Sequence, residues 1–391
     1  MKLFKWDFLK IIRNKKTQII LIALLIFLAS YSTLYQDRTV QLPVEEIRTE
    51  YEETQRLFRA IPSEDFETET GQEIYEKLAR QQHILGMQRY ILGQKEGNTV
   101  EGLEEIVDDY VGQGIEMTEN QLSFYEAEDF PSYELLTGYL PSEEELRDEL
   151  KFLQYLKENN VEIDWNPMSP SLVLYSLVNL IAGVFIYIIA AVFGSDRFAR
   201  DQENNWSVSQ GIPYSWAFQW RQRTFISWLL IWLTIIAGTV ISYFMNTLAV
   251  NTGTLNYPVK LYSAPYTEYI SIFDYTVVVM LLTMALSYVI VKFATGLSWV
   301  FRNIYVTIAI VTGIFFIPYL FLVIPAVSAW NPLLYLQIQP VLEGLWTDAG
   351  KVDIPKLIMS IIMLYVLVEV AFHFIFKLIP TRNGKLKRRK N

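Results

Sequence analysis

Three features predict a mainly α fold: six long apolar runs, a charge divided sharply between two blocks, and helix-spaced apolar residues inside the more polar block. Together they describe a six-helix polytopic membrane protein with an amphipathic N-terminal interfacial helix and a mainly helical extracellular domain. A helix crosses a bilayer with roughly 17–25 apolar residues. Six stretches of the 391-residue chain reach that length. Buried core helices of a large soluble protein do not account for so many such runs. Charged residues make up 19% of the chain and hydrophobic residues 52%, against about 25% charge in an ordinary soluble domain.

Composition excludes several classes. The apolar content argues against a disordered chain, and the acidic balance of −9 against a nucleic-acid binder. With no cysteine there is neither a disulfide scaffold nor a Cys-ligated metal site. Two histidines far apart, His83 and His373, make a histidine-based zinc enzyme an equally poor fit.

Residues 1–17 read as a cytoplasmic amphipathic interfacial helix, in which Leu3, Phe4, Phe8, Leu9, Ile11 and Ile12 are interleaved with Lys and Arg. A plain basic anchor for the first span fits the same residues. Span 1 lies in 18–35, its apolar run being Ile19–Tyr35; five more runs follow, so an uncleaved anchor is expected rather than a signal peptide. Residues 36–168 are the acidic block, with 32 of the 42 acids and 11 of the 33 bases, a net −21. The rest of the chain carries +12. Within the block, Val44, Ile47, Tyr51, Leu57 and Phe58 recur at helical spacing, as do Ile74, Leu78 and Leu85, and Leu103, Ile106, Val107 and Tyr110. Ser142 and Glu145 form a capping-box signal ahead of Leu146, Leu150, Leu153 and Leu156. Dense acid on an outer surface is a solvated face or an attractor for a cationic substrate such as a basic peptide, and the sequence leaves both open.

Span 2 lies in 169–194 (Ser171–Gly194) and is followed by a polar cytoplasmic link, 195–224. Residues 225–380 hold spans 3 to 6, at Phe225–Val250, Ile272–Val291, Ile304–Ile324 and Leu357–Ile379. A basic cytoplasmic tail, 381–391, ends the chain. Bases gather before span 1, in the link after span 2, at Lys292 and Arg302 around the link after span 4, and after span 6. The intervening links carry only Lys260, Lys351 and Lys356. The positive-inside bias then places both termini in the cytoplasm and the acidic block outside. The location expected is the cell (plasma) membrane, multi-pass.

No phosphate loop, H-E-x-x-H or G-x-S-x-G is present, so no catalytic constellation is expected and the chain reads as a non-enzyme. Glu369 and His373 interrupt span 6 four residues apart on one face, where they can hydrogen-bond. An ionisable group in a span points to function, here gating, subunit contact or a proton-sensitive substrate contact; a satisfied polar contact with a neighbouring helix also fits. Asp274 at the start of span 4 reads as interfacial.

The link after span 2 carries Asp196, Asp201 and Glu203, then Trp206, Pro213, Arg221 and Arg223. With its ten-residue spacing from Glu203 to Pro213 and a base entering span 3, it resembles the permease subunits of type 2 ABC exporters. The sequence departs from that pattern at Asn204 and Asn205, where Gly and Thr are common, and in the more polar stretch Trp206–Gln210. The basic amphipathic start resembles that family's interfacial helix. Asn331, Pro332 and Tyr335, in N-P-L-L-Y, resemble its segment before the last span, which implies a short re-entrant element around 325–346.

The resemblance implies a transmembrane permease subunit of an ATP-driven ABC exporter, moving an amphipathic or hydrophobic substrate (peptide, lipid or antimicrobial compound) outward. It implies contact with an ABC ATPase subunit through Asp201, Glu203, Trp206, Pro213, Arg221 and Arg223. It also implies a second permease subunit in a homo- or heterodimer, contact with membrane lipid and no nucleic acid. ATP and Mg would sit on the partner ATPase, with no cofactor on this chain. The competing expectation is a membrane-anchored sensor or scaffold whose acidic extracellular domain binds a ligand or partner without transport. An ion-coupled secondary transporter fits less well, because buried charge is sparse and no internal repeat is evident.

Overall fold

Most helix boundaries coincide with capping and breaking residues that the sequence displays. The structure is a computed structural model that describes residues 2–35, 43–93, 107, 109–203, 214–250, 253–263, 266–322, 328–345 and 353–378. The chain starts with α1 (Lys2–Ile12), α2 (Lys15–Ala29) and α3 (Tyr31–Tyr35). The acidic block contains α4 (Val44–Ala60), α5 (Glu69–Gly93), α6 (Tyr110–Tyr125), α7 (Tyr133–Gly138) and α8 (Glu143–Asn159). Next come α9 (Pro170–Leu180), a π-turn at Ile181–Phe185, α10 (Ile186–Glu203) and α11 (Trp216–Ala249). A hairpin of β1 (Pro258–Ser263) and β2 (Tyr266–Ser271) leads into α12 (Ile272–Phe301). The chain continues through α13 (Ile304–Ile314), α14 (Ile317–Leu322), α15 (Gln339–Leu342) and α16 (Ile354–Leu378).

The protein is mainly helical, as expected, and among the described residues four helices are long and apolar enough to cross a membrane. They are Pro170–Ala199, Trp216–Ala249, Ile272–Phe301 and Ile354–Lys377. The other two predicted runs are not single long helices. The first breaks at Ser30, which ends α2 and separates it from α3. The fifth breaks between α13 and α14, where Pro318 supplies no N–H for a continuing ladder. The 11 residues of α13 span roughly 16 Å, about half a bilayer core.

Side-chain pairs give the direction of each helix. On α2–α3, Lys16 faces Asp196 at one end (3.7 Å) and Tyr31 bonds Ser176 at the other (2.7 Å), so this pair of helices runs antiparallel to α9–α10 along the bundle. Between α9–α10 and α12, Asn179 meets Tyr275 and Phe198 meets Ser298, a parallel register. They approach closely where Gly194 lies on Ala294; a Cβ at Gly194 would overlap the alanine methyl. On α12 and α16 the rungs Tyr288–Tyr365, Lys292–Glu369, Gly296–Phe372 and Trp299–Phe376 advance together, so these helices are parallel as well. The chain from 302 to 353 therefore returns the length of the bundle. Part of that return is the one-turn segment Pro332–Leu336, capped by Asn331, whose Leu336 carbonyl accepts from Tyr187, midway along α9–α10.

The acidic block folds on packing alone, without cysteine. Leu57, Ile74, Leu78, Phe124, Phe130 and Leu136 form one cluster, and Val111, Leu153 and Leu156 belong to another. Each such side chain contributes about 1.5–3 kcal/mol on burial. Both halves of the Ser142–Glu145 capping box are made at the start of α8. Leu103 and Ile106 lie outside the described residues. The β-hairpin was not anticipated, although Val259 and Leu261 alternate with Lys260 as a half-buried strand should. It docks the acidic block through Lys260–Asp148 at 2.6 Å and Phe152 against Tyr269. The acidic block and the link between α11 and α12 thus share one end of the bundle. Replacing Gly194 with valine should lower the unfolding midpoint in mild detergent, at a cost of about 1–3 kcal/mol from overpacking. Gly313→Ala in α13, where a Cβ meets nothing, should not lower it.

Candidate functional site

At the other end of the bundle the first turns of α11 gather charged partners from four helices. Ser215 caps α11, its side chain accepting from the Phe218 N–H at 3.3 Å. Arg221 and Arg223 stand two positions apart, about 200° around the helix, and so face opposite sides. Trp220 and Gln222 lie beside them. The pattern sends one arginine towards α1 and α10 and the other towards α12 and α16.

Arg223 is buried. Its Nη1 reaches Asp201 Oδ2 at 2.7 Å and donates to the Arg197 carbonyl at 2.8 Å, while Nε lies 3.9 Å from Asp7 Oδ1. Its guanidinium covers the Phe198 ring at 4.6 Å. Asp7 also accepts from Gln222 Nε2 at 2.9 Å, and Lys10 donates to Asp201 Oδ1 at 2.7 Å. The apolar face of α1 completes the joint, with Ile11 packed on Ile226 and Leu230. Phe4, Trp6 and Leu9 stay exposed. A cavity of 80 Å³ lies between Asp7, Lys10, Asp196, Arg197, Asp201 and Arg223. Burial pushes the Asp7 carboxyl above its ordinary value, against the opposing pull of Arg223 and Lys10.

On the opposite side, Arg221 Nε donates to Glu369 Oε1 at 2.7 Å, and Nη2 also contacts that oxygen. The other carboxylate oxygen forms an ion pair with Lys292 Nζ. The Lys292 side chain is only 1% exposed. Its ammonium stands over Tyr365 at 3.9 Å and near Trp220 and Tyr288 at 5.0 and 5.7 Å, where aromatic faces attract a cation. Trp220 is fully buried and donates to the Lys292 carbonyl at 2.9 Å. One helix start therefore ties α1 and α10 on one flank to α12 and α16 on the other.

The structure brings Asp201, Arg221, Arg223 and Glu369 into this hub. Glu203 is the last residue of α10, and Trp206 and Pro213 lie outside the described residues. Glu369 and His373 do not bond to each other. The Glu369 carboxylate turns to Arg221 and Lys292, while His373 is exposed and packs edge-on with Phe374. Asn331 caps its short helix, accepting from the Leu333 N–H at 3.1 Å, and Tyr335 is buried and donates to the Ala329 carbonyl at 2.7 Å. Pro332 opens that helix.

Sequence reasoning missed Lys292, Asp7 and Trp220. Lys292 had a visible signal: Phe293, Ala294, Leu297, Trp299 and Val300 follow it with no charge before Arg302, so the helix continues past it. Comparison with family models, curated proteins and solved structures finds no match.

Two outcomes are expected. Arg223→Met strands the buried Asp7 and should destabilise by about 3–5 kcal/mol; in a double-mutant cycle with Asp7→Leu, thermal unfolding should show the pair losing less than the sum. A carboxyl held above its ordinary value binds its proton more tightly in the folded chain. The contribution of Asp7 thus makes stability fall as pH rises from the ordinary carboxylate range through the raised value. Asp7→Asn should flatten that slope in unfolding midpoints taken across the window.

Proposed function

We propose that this chain is the transmembrane permease subunit of an ATP-driven ABC exporter. Its substrate class would be an amphipathic or hydrophobic peptide, lipid or antimicrobial compound. The observation that carries the reading is the wiring of Arg221 and Arg223, which stand at the end of the polar link and reach both flanks of the bundle. A force applied to that link by a docked ATPase has short, charged routes into α1, α10, α12 and α16.

In this account the helix directions support six crossings, two of them irregular: α2–α3, and the broken return from α13 to α15. The ionic end of the bundle faces the cytoplasm, both termini lie on that side, and the acidic block with the β-hairpin faces out. A second permease subunit, identical or related, completes the pathway. ATP and Mg belong to the partner ATPase, which supplies the phosphate loop that this sequence lacks. Closure of the ATPase pair moves the link, and the hub passes the movement to the spans.

The deciding experiment is affinity purification of the full chain from crosslinked native membranes. The expected result is recovery of a P-loop ATPase, with hydrolysis altered by Glu203→Ala. Recovery of the chain alone, with no ATPase bound, would refute export and leave the sensor or scaffold reading in its place.

A further inference from the structure

At the far end of the bundle from the hub, α4, α5, α6 and α8 of the acidic block enclose a cavity of 220 Å³. Its polar lining is unbalanced. The carboxylates of Glu50 and Glu149 face it, and no Lys, Arg or His is among the described residues that line it. Glu50 is half-buried and Glu149 is exposed at the cavity's edge, yet desolvation raises both carboxyls above their ordinary value. Each is thus surrounded by protein while still touching solvent, as the lining of a hollow does.

Each glutamine amide nitrogen and threonine hydroxyl that lines the cavity already has an acceptor. Gln81 Nε2 and Gln121 Nε2 each donate to Glu50 Oε1 at 3.2 Å, and Gln88 Nε2 donates to Gln113 Oε1 at 2.9 Å. Thr54 and Thr118 donate to carbonyls of their own helices. The acceptors are not spent. Gln81 Oε1 and Gln88 Oε1 have no hydrogen-bond partner, although the two side chains are only 3% and 1% exposed. The orientation of Gln81 is fixed by Glu50, which as a carboxylate can only accept. A buried acceptor left unmatched costs about 1–3 kcal/mol, so this cavity calls for donors and for positive charge. Leu57, Leu78, Met117 and Leu153 supply an apolar wall beside these oxygens.

We infer that the cavity binds an organic cation, a guanidinium or primary ammonium group carried on an aliphatic stem. The N–H groups satisfy Gln81 Oε1 and Gln88 Oε1, the charge answers Glu50 and Glu149, and the stem lies along the Leu and Met wall. A lysine or arginine side chain of a basic peptide has this chemistry, and so does a free alkylamine. The site belongs to the acidic block alone and stands whether or not the chain exports anything.

The test is calorimetric titration of the full chain in lipid nanodiscs with n-butylguanidinium. Saturable binding is expected, with tetramethylammonium, which has the charge but no N–H, roughly tenfold weaker or worse. Glu50→Gln and Gln81→Leu should each weaken binding of the probe by roughly the same factor, with Glu119→Gln on the exposed surface as an unchanged control. If either buried variant fails to fold by circular dichroism, Glu149→Gln at the exposed edge carries the test. Absence of saturable binding overturns the inference. So does equal affinity for tetramethylammonium, or an affinity that Glu149→Gln does not move; these last results would leave a water-filled hollow that merely screens charge.

Discussion

An ammonium group inside an apolar bundle is stable only if something answers its charge, and Lys292 sets that condition for the helices around it. Its side chain is all but inaccessible on α12, and its answer comes from Glu369 on α16 and the rings of Trp220, Tyr288 and Tyr365. Glu369 in turn needs Arg221, because a carboxylate between apolar helices is costly with one partner and better matched with two. Meeting these demands fixes the register of α12 against α16 and holds the start of α11 between them. The same helix start then carries Arg223 to Asp7 and Asp201 on its other side.

The consequence is a division of labour along the bundle. Away from the hub the contacts are neutral and directional, such as Trp232 to Ser287 and Tyr275 to Asn179. At the hub the contacts are ionic and shared among several helices, so displacing one helix changes the surroundings of all the others. The amphipathic α1 is part of this arrangement, seated by Ile11 on α11 and bonded through Asp7 and Lys10.

Much of the fold was legible in the sequence because hydrophobic length and helical period are local signals. Ser171–Gly194, Phe225–Val250 and Leu357–Ile379 mark long helices, and Ser142 with Glu145 starts α8 as its capping box requires. The broken first run was less legible, since Ser30 looks harmless inside an apolar stretch long enough to span; in the fifth, Pro318 is a visible break signal inside a stretch of spanning length. Of the site, Arg221, Arg223 and Asp201 could be singled out by position in the link, and Glu369 by its charge inside an apolar run. Their partners could not, because a pairing such as Arg221 with Glu369 joins residues 148 positions apart. Lys292 was read as a flanking base; its charge alone does not distinguish a helix end from a helix interior, and only the apolar residues after it do. The glutamine-lined cavity gave no sequence signal, because Gln81 and Gln88 look like ordinary surface residues of a polar helix.

The central claim is that Lys292 and Glu369 depend on each other as a buried ionic pair. The most direct measurement is a double-mutant cycle on the unfolding midpoint of the purified chain in mild detergent, using Glu369→Gln, Lys292→Met and the two combined. Glu369→Gln alone should be the most damaging, since it leaves a buried ammonium without its carboxylate, and adding Lys292→Met should recover much of the loss. Strictly additive effects, with the double variant less stable than either single one, would contradict the account.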